Sequence, residues 1–157
     1  MKKSAVYLVF ILFFLLVDQI SKTLVALNLS LYESKVVIPG FFNLTHVQNK
    51  GAIFGFFSNL DSFWIYALLT VASLAALVLV AFYFIKTPNS ETFLKLSLSL
   101  ILAGALGNLT DRIFRGSVID FLDFYVKDWH WPVYNVADSC VTIGAVCLIY
   151  VFFVKKG

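Results

Sequence analysis

The chain has 157 residues, 61% of them hydrophobic and only 13% charged, with a mean hydropathy of +0.90. Soluble domains are usually about half apolar and about a quarter charged, so this composition cannot clothe a water-exposed globule of that kind. The net charge of +3 is small and the basic residues are scattered, which argues against a nucleic-acid footprint.

A bilayer core of about 30 Å needs about 20 apolar residues as a helix. Residues 4–27 supply the first such span, carried by the apolar block from Val6 to Val17. Its start, Met1-Lys2-Lys3, resembles a cleavable signal peptide. No small-x-small site follows, however, but Asp18-Gln19-Ile20-Ser21-Lys22, so a retained anchor is expected. No cysteine lies near it, so the chain does not read as a lipoprotein precursor.

Residues 28–61 form a long connection. Lys35-Val36-Val37-Ile38, the turn Pro39-Gly40 and the partly alternating stretch Phe41 to Gln48 predict a small β element. Residues 62–85 and 93–113 form the second and third spans, joined by the turn Thr87-Pro88-Asn89-Ser90. Residues 114–133 form a second connection, and 134–154 the fourth span. Cys140 and Cys147 are seven apart in that last apolar run. A helix would separate them by about 10 Å, beyond disulfide reach, so both read as small apolar side chains.

Short loops set the orientation. Lys2, Lys3, Lys86, Lys95, Lys155 and Lys156 fall on one side with a single acid, Glu91, which makes that side and both termini cytoplasmic. Trp64, Trp129 and Trp131 fall near the opposite interface, as an aromatic belt would.

Ionisable groups within spans are costly and usually functional. Counted at 1.5 Å per residue, Asp18 and Lys22 lie about 21–27 Å along the first span, and Asn108, Asp111 and Arg112 about 22–29 Å along the third. Asn135 and Asp138 open the fourth. Three helices thus bring polar groups to the outer boundary. Asp18 and Lys22 share a face at i,i+4. Gly104, Gly107, Asn108 and Asp111 share another, where small residues permit close helix contact. Interhelical hydrogen bonding alone would also account for such residues.

Asp120, in Val118-Ile119-Asp120-Phe121-Leu122-Asp123, leads towards the membrane surface, and the chain after it can double back towards Asp138. Two close carboxylates cannot both ionise cheaply, so they share a proton. One then takes a proton from water while the other polarises a peptide carbonyl. Other hydrolytic patterns are missing: neither Gly-x-Ser-x-Gly nor His-Glu-x-x-His occurs. His46 and His130 read as satisfied surface residues. A four-span transporter would also carry intramembrane carboxylates, though nearer the midplane. An assembly subunit could use them to bind partner helices.

Five segments in order resemble the bacterial lipoprotein signal peptidases (signal peptidase II): Asp18-Gln19-Ile20-Ser21-Lys22, Asn49-Lys50-Gly51-Ala52-Ile53-Phe54-Gly55, Gly104 to Arg112, Val118-Ile119-Asp120-Phe121 and Tyr134-Asn135-Val136-Ala137-Asp138-Ser139. The resemblance spans nearly the whole chain. It departs at Tyr134, where phenylalanine is usual, and at Ile53, where alanine is common. It implies an all-α membrane protein over residues 1–157, with four transmembrane helices, a small extracytoplasmic β-sheet cradle and a short surface helix. The implied activity is an aspartyl endopeptidase of the bacterial cytoplasmic membrane, cutting diacylglyceryl-modified prolipoproteins just before the lipid-bearing cysteine. Asp120 and Asp138 match the catalytic aspartates. Asn49, Gly51, Asn108, Arg112 and Asn135 match substrate-binding positions, and Asp18, Lys22 and Asp111 positions that support the site. Ala52 belongs with Gly51 to the outer loop. No cofactor or metal is implied. The expected partners are the lipidated precursors and membrane lipid, with globomycin-type inhibitors and a monomeric state.

Overall fold

The structure, a computed structural model, describes residues 2–50 and 63–155. The side chains of Lys2, Lys3, Trp64 and Lys155, together with Lys156 and the segment 51–62, lie outside the described residues. Four long helices dominate: α1 (Lys2–Asn28), α2 (Phe63–Lys86), α3 (Thr92–Arg115) and α4 (Val136–Tyr150), the last continued by a π-helical turn at Val151–Lys155. Each includes a stretch long and apolar enough to cross a membrane.

The distribution of side chains is inverted relative to a soluble protein. Val9, Phe13 and Leu27 of α1 and Leu68, Val71 and Ile85 of α2 are exposed, whereas the largest fully buried side chains are Lys22, Asn135, Asp18 and Asp111. In lipid this costs nothing, because an exposed leucine there meets a solvent as apolar as itself. The polar groups instead retreat to the bundle interior, where they satisfy one another.

α3 is the central helix, packed against α1, α2 and α4. Its glycines permit this. A Cβ at Gly104 would collide with the carbonyl oxygen of Ala137 and come within 2.7 Å of Val141 Cγ2, and one at Gly107 would lie 2.5 Å from an Asp18 oxygen. Gly144 of α4 meets α3 in the same way, 2.8 Å from the Ser97 carbonyl. Gly104→Ala should therefore push α4 off α3 and cost about 1–3 kcal/mol, read as a lower melting temperature in detergent. An unchanged melt would mean that the two backbones are not in contact.

The β element is larger than the sequence suggests. β1 (Ser34–Ile38), β2 (Phe42–Asn49), β3 (Val118–Val126) and β4 (Trp129–His130) form one antiparallel sheet in that order. The β1–β2 turn is closed by Phe41 N–H donating to the Ile38 carbonyl at 3.1 Å, with Gly40 at φ 76°. Proline then glycine with positive φ is the pattern of a type II turn. β3 has no counterpart in the sequence reading: it lies in the connection 114–133, with both faces largely covered. It carries Asp120 opposite Val47 of β2. The short surface helix implied by resemblance has no counterpart among the described residues.

One further expectation is corrected. His46 is buried, not at the surface; it sits where the β2–β3 register shifts, between Leu44 and Val47. Its Nδ1 donates to the Leu29 carbonyl at 2.9 Å, and Nε2 has no partner among the described residues. Lys95, which lies within the expected third span, is buried one turn into α3. Its ammonium caps the end of α2, donating to the Thr87 carbonyl at 2.9 Å and Asn89 Oδ1 at 2.7 Å, with the Phe84 ring centroid 4.9 Å away. Cys140 and Cys147 are both free, as their spacing requires.

Candidate active site

The link that brings the two aspartates together is a backbone one. Tyr134, just before α4, exchanges hydrogen bonds with Leu122 of β3: Leu122 N–H donates to the Tyr134 carbonyl at 2.8 Å, and Tyr134 N–H returns to Leu122 at 3.2 Å. The chain thus doubles back after β4, and Asn135 arrives beside Asp120. Asn135 then caps α4. Its side-chain oxygen accepts from Asp138 N–H at 2.9 Å, and Asp138 Oδ2 accepts from Asn135 N–H at 3.2 Å. This reciprocal capping box fixes Asp138 at the third helical position.

Asparagine amides hold the carboxylates. Asp120 Oδ1 accepts from Asn135 Nδ2 at 2.7 Å and Oδ2 from Asn49 Nδ2 at 3.0 Å. Asp138 Oδ1 accepts from Asn108 Nδ2 at 2.8 Å. Asp120 is nearly fully buried. Burial first, and then the charge of Asp138, push its carboxyl up to about 7, against the opposing pull of Asn49, Asn135 and Lys22. Asp120 and Asp138 both line a cleft of about 820 Å³ whose walls are otherwise mostly apolar and aromatic, among them Phe124, Trp129, Trp131 and Ile143. Trp129 and Trp131 are exposed at its rim, in edge contact with each other.

A buried ionic cluster underlies this pair. Lys22 Nζ lies 2.8 Å from Asp18 Oδ2 and 2.9 Å from Asp111 Oδ2, and donates to Asn108 Oδ1 at 2.9 Å. All three of its protons are thereby used. With its oxygen held by Lys22, the Asn108 amide can only aim its NH₂ at Asp138. Asp18 Oδ1 accepts from Ala137 N–H at 2.8 Å, an otherwise orphan donor in the first turn of α4. Asp111 Oδ2 accepts from Ile119 N–H at 3.3 Å, one residue before Asp120.

The structure therefore brings Asp120, Asp138, Asn49, Asn108 and Asn135 to one place and sets Asp18, Lys22 and Asp111 directly behind them. Arg112 lies on α3 next to Asp111 and is half-buried. Gly51 and Ala52 lie outside the described residues. Gln19 and Arg115 belong to the cluster and are not singled out by the sequence, although Gln19 falls within the polar segment of the first span. Asp123 is held apart in the sheet, where it accepts from Asn43 Nδ2 and Thr45 Oγ1 at 3.1 Å each and from His130 Nδ1 at 2.7 Å. Burial would raise its carboxyl, but the hydrogen bonds from His130, Asn43 and Thr45 outweigh this and leave it below the usual carboxylate range.

Comparison with known proteins agrees across sequence and structure. The model of the family described as Signal peptidase (SPase) II matches residues 10–154. A lipoprotein signal peptidase of Syntrophus aciditrophicus is 45% identical over 135 residues, which cover 86% of this chain and 84% of that one. One from Desulforapulum autotrophicum is 48% identical over 134 residues, covering 85% and 82%. A solved bacterial membrane enzyme superposes with a TM-score of 0.82 at 32% identity, covering 97% of this chain and 89% of the other. A second gives 0.83 at 31% identity, covering 96% and 94%.

Proposed function

This chain belongs to the signal peptidase II family, and we propose that it works through Asp120 and Asp138 as a paired acid and base. It is an aspartic-type peptidase of a bacterial membrane that removes signal peptides from prolipoproteins. The observation that carries the residue assignment is the meeting of two carboxylates from separate elements at one cleft, with Asp120 pushed up to about 7.

One proton shared by the pair rests on Asp120 at neutral pH and below. It polarises the scissile carbonyl, while Asp138 takes a proton from water and the water oxygen bonds to the carbonyl carbon. Collapse breaks the C–N bond and passes a proton to the leaving amine. Asn49 and Asn135 orient Asp120, and Asn108 orients Asp138. Asn49, Gly51, Asn108 and Arg112 hold the substrate backbone. Asn135, matched by resemblance to the same role, is fully buried and acts on Asp120 instead, and Asp18, Lys22 and Asp111 brace the site from behind.

The substrate bond is the one before a diacylglyceryl-modified cysteine. Such a precursor has an apolar signal segment and two acyl chains, so it reaches the site through the bilayer. The aromatic and aliphatic walls of the cleft suit it. Both termini are cytoplasmic and the cleft opens near the outer face. The chain acts as a monomeric single domain, and globomycin-type compounds inhibit it by occupying the cleft.

The test is cleavage by purified protein in lipid vesicles. A diacylglyceryl-modified precursor should release its signal peptide and leave a mature protein beginning at the modified cysteine, while the unmodified precursor stays uncut. Equal cleavage of both forms, or a cut elsewhere, would refute the substrate assignment.

A further inference from the structure

Arg115 closes the last turn of α3 and reaches across to α1. Its Nη2 donates to Thr23 Oγ1 at 2.9 Å and its Nη1 to Gln19 Oε1 at 3.2 Å. Nη1 also forms an ion pair with Asp111, four residues back on its own helix. The guanidinium is about a third exposed, whereas Asp111 is fully buried. An exposed helix-end arginine that only snorkelled would need no anchors on a second helix.

Asp111 distributes its two oxygens. Oδ1 faces Arg115 and accepts from Gln19 Nε2 at 3.3 Å; Oδ2 faces Lys22 and accepts the Ile119 amide. Arg115 therefore holds one oxygen so that the other stays on the strand carrying Asp120. Lys22, on that second oxygen, continues through Asn108 to Asp138. Both halves of the pair are tied to the same carboxylate.

Charge points the same way. α1 brings Asp18 and Lys22 to this region, and α3 brings Asp111, Arg112 and Arg115. β3 adds Asp120 and α4 adds Asp138; His46 of β2 and Asp123 with His130 belong to the sheet. Within the brace itself, Lys22 answers only one of the two charges on Asp18 and Asp111. Arg115 answers the other. Without it, Asp18 and Asp111 share the one cation of Lys22, and the charge behind two carboxylates that must share one proton is one unit more negative.

We propose that Arg115 is a positioning residue for the reaction: by neutralising Asp111 and steering one of its oxygens onto the Ile119 amide, it sets the placement and proton affinity of the Asp120–Asp138 pair. The inference rests on the assignment of that pair above. It assigns a role to a residue outside the five segments that carry the family likeness.

The test compares Arg115→Gln, Arg115→Lys, Thr23→Val and Asp120→Asn in the cleavage assay, with full pH profiles. Arg115→Gln should lower kcat roughly tenfold with KM within about twofold, as expected for a small misplacement of reacting groups. An added negative charge favours protonated carboxyls, so both limbs of its profile should move to higher pH, by about half to one unit. Arg115→Lys should recover most of kcat and the wild-type profile. Thr23→Val keeps every charge and loosens one anchor; it should lower kcat about twofold to threefold with the limbs in place, and it carries the positioning test if Arg115→Gln does not fold. Wild-type kcat in Arg115→Gln, or wild-type kcat in Thr23→Val where that variant stands in, overturns the role of Arg115 while leaving the pair intact. So does a loss of kcat in Arg115→Gln with unmoved limbs and no recovery by lysine. Normal cleavage by Asp120→Asn removes the pair itself, and this inference with it.

Discussion

Asp120→Asn and Asp138→Asn should each lower turnover of a lipidated precursor by about a thousandfold or more, in a protein that still folds and inserts. Asparagine keeps the size and planarity of the side chain but can neither share nor transfer the proton. The structural cost should be small at both positions. Asp120 meets two amide donors, and a rotated amide can still accept one of them. Asp138 keeps an oxygen to close the capping box with Asn135. Loss of activity with an unchanged melt is thus the expected signature, and near-normal processing by either variant would end the two-aspartate mechanism. The wild-type pH profile carries a further sign. Asp120, pushed up to about 7, gives up its proton as pH rises through that value, so turnover should decline on the alkaline side. Asp138→Asn removes the second of the two causes of that push. The Asp120 carboxyl stretch, followed by infrared titration, should then convert to carboxylate at lower pH than in the wild type. Conversion at an unchanged pH would mean that the two side chains do not sense one another.

The four helices are legible because their apolar runs are long and uninterrupted. The expected spans 93–113 and 62–85 fall on Thr92–Arg115 and Phe63–Lys86, with caps and turns deciding the ends. The β1–β2 hairpin is legible through Pro39-Gly40. β3 is not, for a physical reason. A strand covered on both faces loses the alternation that identifies a half-exposed one, and Val118-Ile119-Asp120-Phe121 reads as a plain apolar run with one acid in it. Its main partner, β2, also lies some seventy residues earlier, beyond the reach of any local signal. His46 escapes a sequence reading because a register shift turns a residue inward against the period of its strand. The polar layer is legible by depth, since few residues other than functional ones are kept at that cost inside a span. Depth does not give pairing. That Asn108 faces Asp138 and Asn135 faces Asp120 follows from the Tyr134–Leu122 backbone link and the α4 capping box, and that crossing is a tertiary event. Arg115 carries no signal of its own, because an arginine at a helix end looks like ordinary snorkelling until its partners on α1 are seen.

Lys22→Met should be the most damaging single change to stability. Methionine fills a similar volume but leaves Asp18 and Asp111 without the cation that lies within 3 Å of each. Removing one partner of a buried ion pair costs about 3–5 kcal/mol, because the orphaned charge has lost its water and gained nothing in exchange. For a chain of this size that is a fall of roughly 10 °C in melting temperature. Turnover should fail by a separate route. Lys22 and Asn135 Nδ2 both hold the oxygen of Asn108, and with the ammonium gone only the 3.1 Å bond from Asn135 resists a flip that turns this oxygen towards Asp138. The double variant Lys22→Met with Asp18→Asn separates the two effects. Removing the second charge relieves much of the electrostatic penalty, since the amide oxygen introduced by Asp18→Asn can still accept from Ala137 N–H, and Asp111 keeps Arg115 and Gln19. Stability should therefore partly return while turnover does not, because the double variant leaves the Asn108 oxygen to the bond from Asn135 Nδ2 at 3.1 Å and restores no cation there. A melt unchanged by Lys22→Met alone would show that the cluster is hydrated rather than buried. Recovery of both stability and turnover in the double variant would show that Lys22 serves only to neutralise Asp18.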